Sequence, residues 1–308
     1  MSMDIINKAK MALLCMQRHS WEQGVCAQAF FEAGDTETAV GLVLDMANRQ
    51  RDDGRLGLMY GETTCTDPLS ALEAHVKAVE ITRDEMLKTA LYKALRWVLE
   101  DAPRNETGIV YHVDYAKQFW VDSMYMLPPG LVKAGYEAEA IKQADGYIEH
   151  LYIPEKSLFK HIWDETESRF IIDKFWGVGN GWAISGLARM IEGINDSNTK
   201  KRYAEIVRKT IESALELQRN DMLFHNILDD PDTFVEANFA QMLCYTIKKG
   251  VQTGWLDASF MKRVPETLDA VLKQVDEYGI LRGACGAPHF DKPGAAPEAQ
   301  AFFILSRL

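Results

Sequence analysis

TETAVGLVLDMANR, residues 36–49, places Ala39, Val40, Leu42, Val43, Leu44, Met46 and Ala47 on a broad stripe with helical rather than strand spacing. Charged residues fill the remaining faces, so the segment reads as an amphipathic helix that buries one side. Segments 83–100, 137–152, 201–218 and 261–276 repeat this pattern. The stretch after the first helix, RDDGRLGLMY around Gly54, turns the chain and opens a short apolar run. Comparable stretches are NETGIVYHV around Gly108, EKSLFKHIWD around Ser157, RNDMLFHNIL around Met222 and DEYGILRGAC around Gly279. Their centres lie 54, 49, 65 and 57 residues apart, the length of two helices with their turns. Each interval therefore reads as one helical hairpin that returns the chain to the same level.

An open solenoid and a closed ring of hairpins share that signal. The junctions carry Trp21, His112, Trp120, His161, Trp176 and Trp182, which a ring would gather around one funnel. The expectation is an all-α fold, an (α/α)6 barrel of about six helical hairpins, with residues 1–308 forming a single domain.

Composition narrows the function. A chain of 308 residues with 47% hydrophobic residues can close one large core, and no Ser/Gly-rich or single-charge run divides it. A net charge of −11 argues against nucleic acid as a partner, since a phosphate-backbone binder needs a basic face. No window reaches the roughly 18–20 uninterrupted apolar residues of a membrane span. The first twenty residues are interrupted by Asp4, Lys8 and Lys10, unlike a secretory signal. The five cysteines, Cys15, Cys26, Cys65, Cys244 and Cys285, lack metal-like or redox-like pairing and read as free thiols of a cytoplasmic protein. No metal or other cofactor is expected: there is no HExxH, and GVGNG at 177–181 lacks the lysine and hydroxyl of a phosphate loop.

Two acids stand out. Within 110–135 the chain is expected to enter a helix near Asp114 or Tyr115, with Trp120, Met124 and Leu127 on its apolar face and Asp122 offset towards the helix end or a cavity. An aromatic setting disfavours the charged carboxylate and raises its pKa. Pro128-Pro129-Gly130 should bend that helix. Asp67, in ETTCTDPLSALEAH, precedes Pro68 in the manner of a helix cap. Trp21, Trp176 and Trp182 are candidates for a sugar-stacking wall, and the glycines of GVGNG are expected to form a close turn that presents Asn180 and Trp182.

The stretches SWEQGV at 20–25, TDPLS at 66–70, HVDYAKQFWVDSMYM at 112–126, LFKHIWD at 158–164 and FWGVGNGWAISGLARM at 175–190, with the terminal GACGAPHFDKPGAAPEAQAFFIL, carry a family resemblance. The chain resembles the unsaturated rhamnogalacturonyl hydrolases of glycoside hydrolase family 105, related to the unsaturated glucuronyl hydrolases of family 88, whose fold is an (α/α)6 barrel. The resemblance implies that Asp122 is the principal catalytic residue and Asp67 a second active-site acid, with His112, His161 and Trp182 at the substrate. It implies an unsaturated uronyl di- or oligosaccharide as substrate, in pectin degradation, and hydration of the C4=C5 bond as the reaction. Val178 stands where family members commonly carry arginine, and Arg282 is the named candidate to supply the missing charge. The alternatives are a catalytically altered sugar-binding member of the fold and a non-catalytic helical scaffold. The sequence sets no oligomeric state.

Overall fold

The computed structural model describes residues 3–308, and their contacts divide into two compact units with interleaved stretches of chain. One unit comprises residues 17–151 and 162–172; the other comprises residues up to 16, 152–161 and 173–308.

In the first unit the helices Ser20–Glu32, Thr36–Asn48, Leu72–Thr82, Glu85–Arg96 and Glu137–Leu151 supply the core. Ser20–Glu32 is buried over nearly its whole length, whereas Glu85–Arg96 buries only Leu87, Ala90 and Ala94. Gly24 makes the close packing of the former possible, because a Cβ there would lie 2.0 Å from Ser70 Oγ. The one-sided helices begin at aspartate caps: Asp35 accepts from Thr38 N at 3.3 Å and Asp84 from Leu87 N at 3.0 Å. The second unit shows the same contrast between Gly177–Gly193, buried all round, and Ser197–Glu216, buried along Tyr203, Val207, Thr210, Ile211 and Ala214. Asp196 caps the latter by accepting from Thr199 N at 2.7 Å.

The recurrent junctions expected from sequence are one structural device. Gly54, Gly108, Ser157, Met222 and Gly279 all have left-handed φ, from +52° to +110°. Each donates its backbone N–H to the carbonyl three residues earlier, on Arg51, Asn105, Pro154, Arg219 and Asp276. The residue two positions beyond each centre, Leu56, Val110, Phe159, Phe224 or Leu281, is fully buried. Side-chain amides fasten these turns. Gln143 accepts from Val110 N at 2.9 Å and donates to Gly108 O at 2.8 Å, and Gln300 treats Leu281 N and Gly279 O alike at 2.7 and 2.8 Å. Gln50 and Gln218 donate to the carbonyls of Gly54 and Met222.

Two local expectations are corrected. No helix begins near Asp114: Gln118–Trp120 is a strand paired antiparallel with Ile162–Asp164, and short helices follow at Ser123–Met126 and Pro128–Lys133. Phe119 and Trp120 suit a pleated surface, and the pairing with Trp163 and Ile162 gives their backbone its partners. GVGNG forms no turn ahead of a helix; it is the first turn and a half of Gly177–Gly193. Its glycine at 181 is a packing device, because a Cβ would come within 2.6 Å of Met242 Sδ.

Candidate active site

The first unit gathers both acids. Thr64 bridges Val113, Cys65 N donates to His112 O at 2.7 Å, and His112 N donates to Gln118 O at 2.8 Å. These bonds stitch the segments before Asp67 and Asp122 side by side. Arg55, buried behind them, donates to Asp114 Oδ2 at 2.9 Å and to Thr64 O at 3.2 Å. Asp67 opens a 3-10 turn with Pro68 but does not cap it; Thr66 occupies the cap position.

His112 is the hub. Its ring stacks on Trp120 with centroids 4.4 Å apart and planes 13° from parallel. Nδ1 lies 2.8 Å from Thr66 Oγ1 and 3.2 Å from Ser123 Oγ, and Nε2 faces Asp67 Oδ1 at 3.8 Å. Thr66 precedes Asp67 and Ser123 follows Asp122, so one imidazole holds both acid-bearing segments.

Burial pushes the Asp122 carboxyl up to about 7, against the opposing pull of a backbone hydrogen bond. Asp122 nevertheless keeps part of its surface open to solvent. Asp67 is raised well above the usual carboxylate range, first by burial and then by the charges of Asp122 and Glu62. A carboxyl poised near 7 can give up a proton and take one back at neutral pH. Farther out on the same unit, the half-buried Trp21 stacks on His19 at 4.4 Å, and His19 Nδ1–H donates to Glu62.

The other expected residues lie in the second unit. His161 sits 4.6 Å from the ring of Trp176, and burial lowers its pKa to about 4, so it is neutral. Trp176 is 4% exposed and donates from Nε1 to Asn226 Oδ1 at 3.2 Å. Trp182 is 2% exposed and meets Phe302 edge to face at 5.5 Å. Asn180 is a third amide clamp. It accepts from Phe159 N at 2.8 Å and donates to Phe159 O and Trp176 O, each at 2.9 Å, which leaves one lone pair for anything else. Val178 is buried in the first helical turn. Arg282 is more than half exposed and paired with Asp276 at 2.7 Å. Sequence reading missed Thr66, Ser123, His19 and Glu62; the only signal for the hydroxyls was their position beside the two acids.

Residues 2–294 match the sequence model of glycosyl hydrolase family 88, and the chain belongs to this family of glycoside-hydrolysing enzymes. It is 25% identical over 277 residues to the unsaturated rhamnogalacturonyl hydrolase YesR of Bacillus subtilis, covering 84% of this chain and 77% of that protein. A possible family 105 member from Salmonella enterica has a TM-score of 0.85 at 18% identity, over 98% of this chain and 91% of its own. A family 105 glycoside hydrolase of C. acetobutylicum has a TM-score of 0.83 at 18% identity, over 98% and 97%. These likenesses show the fold, and the all-α class expected from the hairpin repeat is the fold of this family. Among the described residues no helix is long and apolar enough to cross a membrane.

Proposed function

We propose that the protein hydrolyses unsaturated uronyl di- or oligosaccharides, an unsaturated rhamnogalacturonyl disaccharide being the first candidate, by adding water across the C4=C5 bond of the uronate. The observation that carries this reading is the network of Asp67, His112 and Asp122, with Asp122 held near 7. The likeness to the Bacillus subtilis enzyme supports the substrate class.

In this mechanism the Asp122 carboxyl donates its proton to C4 while a water oxygen attacks C5. The water then returns a proton to Asp122, so the side chain ends the step as it began. C5 is now a hemiketal carbon; its opening breaks the C5–ring-oxygen bond to give a C5 ketone and leaves C1 a hemiacetal. That hemiacetal collapses to an aldehyde by breaking the bond to the glycosidic oxygen, so that the leaving sugar departs as an alcohol beside a keto acid and one water is consumed overall. Asp67 orients the water or a substrate hydroxyl, and His112 holds both acid segments while offering Nε2 to the substrate. Trp21 supplies an aromatic face for the sugar beside these acids. The interleaving of the two units supports reading residues 1–308 as one catalytic domain.

The test is incubation with a panel of unsaturated uronyl disaccharides of differing linkage. The expected result is loss of the conjugated-acid absorbance with stoichiometric release of the partner sugar. Folded protein that consumes none of the panel across a wide pH range contradicts the proposal.

A further inference from the structure

We infer that His19, standing on Trp21 and anchored by Glu62, recognises the carboxylate of the substrate and so determines specificity for the free acid over its ester. This rests on the proposed reaction at the neighbouring acids. A carboxylate leaving water needs a cation or several donors. Position 178 offers a buried valine, and Arg282 is engaged by Asp276.

His19 is built for the task. Its ring lies 4.4 Å from that of Trp21 and only 8° from parallel, so the indole fixes its plane. Nδ1–H donates to Glu62 Oε1, while Glu62 Oε2 accepts from Met59 N at 3.0 Å, so the anchoring carboxylate is itself held. The backbone is fixed as well, because Glu22 Oε2 accepts from His19 N at 2.9 Å and from Arg18 N at 2.6 Å. With Nδ1 committed, Nε2 is the imidazole's remaining donor, and the side chain is 37% exposed against 9% for Glu62. The pair therefore shows solvent a directed N–H beside an aromatic face.

The same wall reaches the acids. Ser70 Oγ donates to Ser20 O at 3.4 Å, tying the residue between His19 and Trp21 to the turn that Asp67 opens. The Glu62 charge is felt at Asp67. Glu62 and, less strongly, the charge of Glu22 keep His19 protonated above its ordinary range despite its partial burial. Burial raises Glu22 in turn, and Asp67 and Asp122 are raised too, which reduces the negative charge an anionic ligand would meet.

The experiment compares an unsaturated uronyl disaccharide with its methyl ester, in the parent and in His19→Gln. The ratio of kcat/KM for acid over ester is expected to fall about tenfold, the size of one charge-assisted hydrogen bond. A ratio within about twofold of the parent overturns the inference and leaves the hydrolase reading intact. Should the parent turn over neither compound, that reading fails and calorimetry with the free acid on Asp122→Asn protein still decides. About tenfold weaker binding on adding His19→Gln supports the role, whereas equal binding, or none by either protein, overturns it. If His19→Gln does not fold, His19→Asn replaces it, since asparagine suits the helix-capping position that His19 occupies.

Discussion

Thr66 and Ser123, 57 residues apart, meet at the same nitrogen of His112: their hydroxyls lie 2.8 and 3.2 Å from Nδ1 and 3.3 Å from each other. All three residues are buried, and each hydroxyl neighbours one of the two acids. The imidazole thus sets the spacing of Asp67 and Asp122, which no backbone bond between their own residues does.

Removing these hydroxyls should therefore loosen the site as a unit. Thr66→Val is expected to lose about 1–2 kcal/mol of stability and about tenfold in kcat, and Ser123→Ala somewhat less because its contact is longer. The double variant should lose less than the two singles combined, as residues sharing one partner do. Denaturant melts with steady-state kinetics on all three proteins check this; independent, additive effects would mean that the hydroxyls do not act through His112.

Asp122 links activity to stability with opposite signs. Its folded pKa is raised to about 7 from 3.8, so the folded protein binds this proton more tightly than the unfolded chain does. The group's contribution is most favourable below pH 4, declines as pH rises from about 4 to 7, and stays unfavourable above. Asp122→Asn removes the ionisable group, so the variant should be more stable than the parent at pH 8, by on the order of 2–4 kcal/mol. The gap should shrink towards pH 4. Thermal melts at the two pH values measure it, and a variant less stable than its parent at pH 8 would contradict the burial of that charge.

Asn180 gives a sharper contrast between structure and chemistry. Asn180→Ala strips a partner from the buried Phe159 N–H and from two carbonyls, for an expected loss of about 2–4 kcal/mol. Urea unfolding reads it, with Gln143→Ala and Gln300→Ala as the equivalent clamps at other turns. A change below about 0.5 kcal/mol would show that the amide is not a clamp.

The left-handed turn centres predict a gain. Met222 has φ +68° with a side chain where Gly54, Gly108 and Gly279 have none. Met222→Gly should stabilise the protein by up to about 1 kcal/mol, the relief of left-handed strain outweighing the added chain entropy. Gly279→Ala should do the reverse, because its Cβ would lie 2.5 Å from Lys8 Cβ. Melting temperatures of the two variants should move in opposite directions.

The same turns explain how far the sequence was legible. Their polar approach, flexible centre and apolar exit are written in neighbouring residues, so the hairpin repeat and the all-α class could be read from RDDGRLGLMY and its four counterparts. Gln118–Trp120 could not, because three residues carry no period and its partner, Ile162–Asp164, is more than 40 residues away. The helical setting of Asn180 and Trp182 was not legible for a related reason. Glycines on either side suggested a turn, whereas Gly181 is there to admit Met242, and the helix so formed turns Trp182 onto Phe302. The acids were visible from their motifs, but the hydroxyls that hold His112 acquire meaning only once Thr66 and Ser123 are brought together in space.

Turnover in deuterated water tests most directly whether Asp122 carries the proton in hydration of an unsaturated uronate. With the parent enzyme, the conjugated-acid absorbance should decay and the product, sampled early, should carry one solvent deuteron at C4. Asp122→Asn should bind the same disaccharide and leave its double bond intact, with turnover lowered by about a thousandfold or more. A product without deuterium at C4, or an Asp122→Asn enzyme within about tenfold of the parent, would contradict the account.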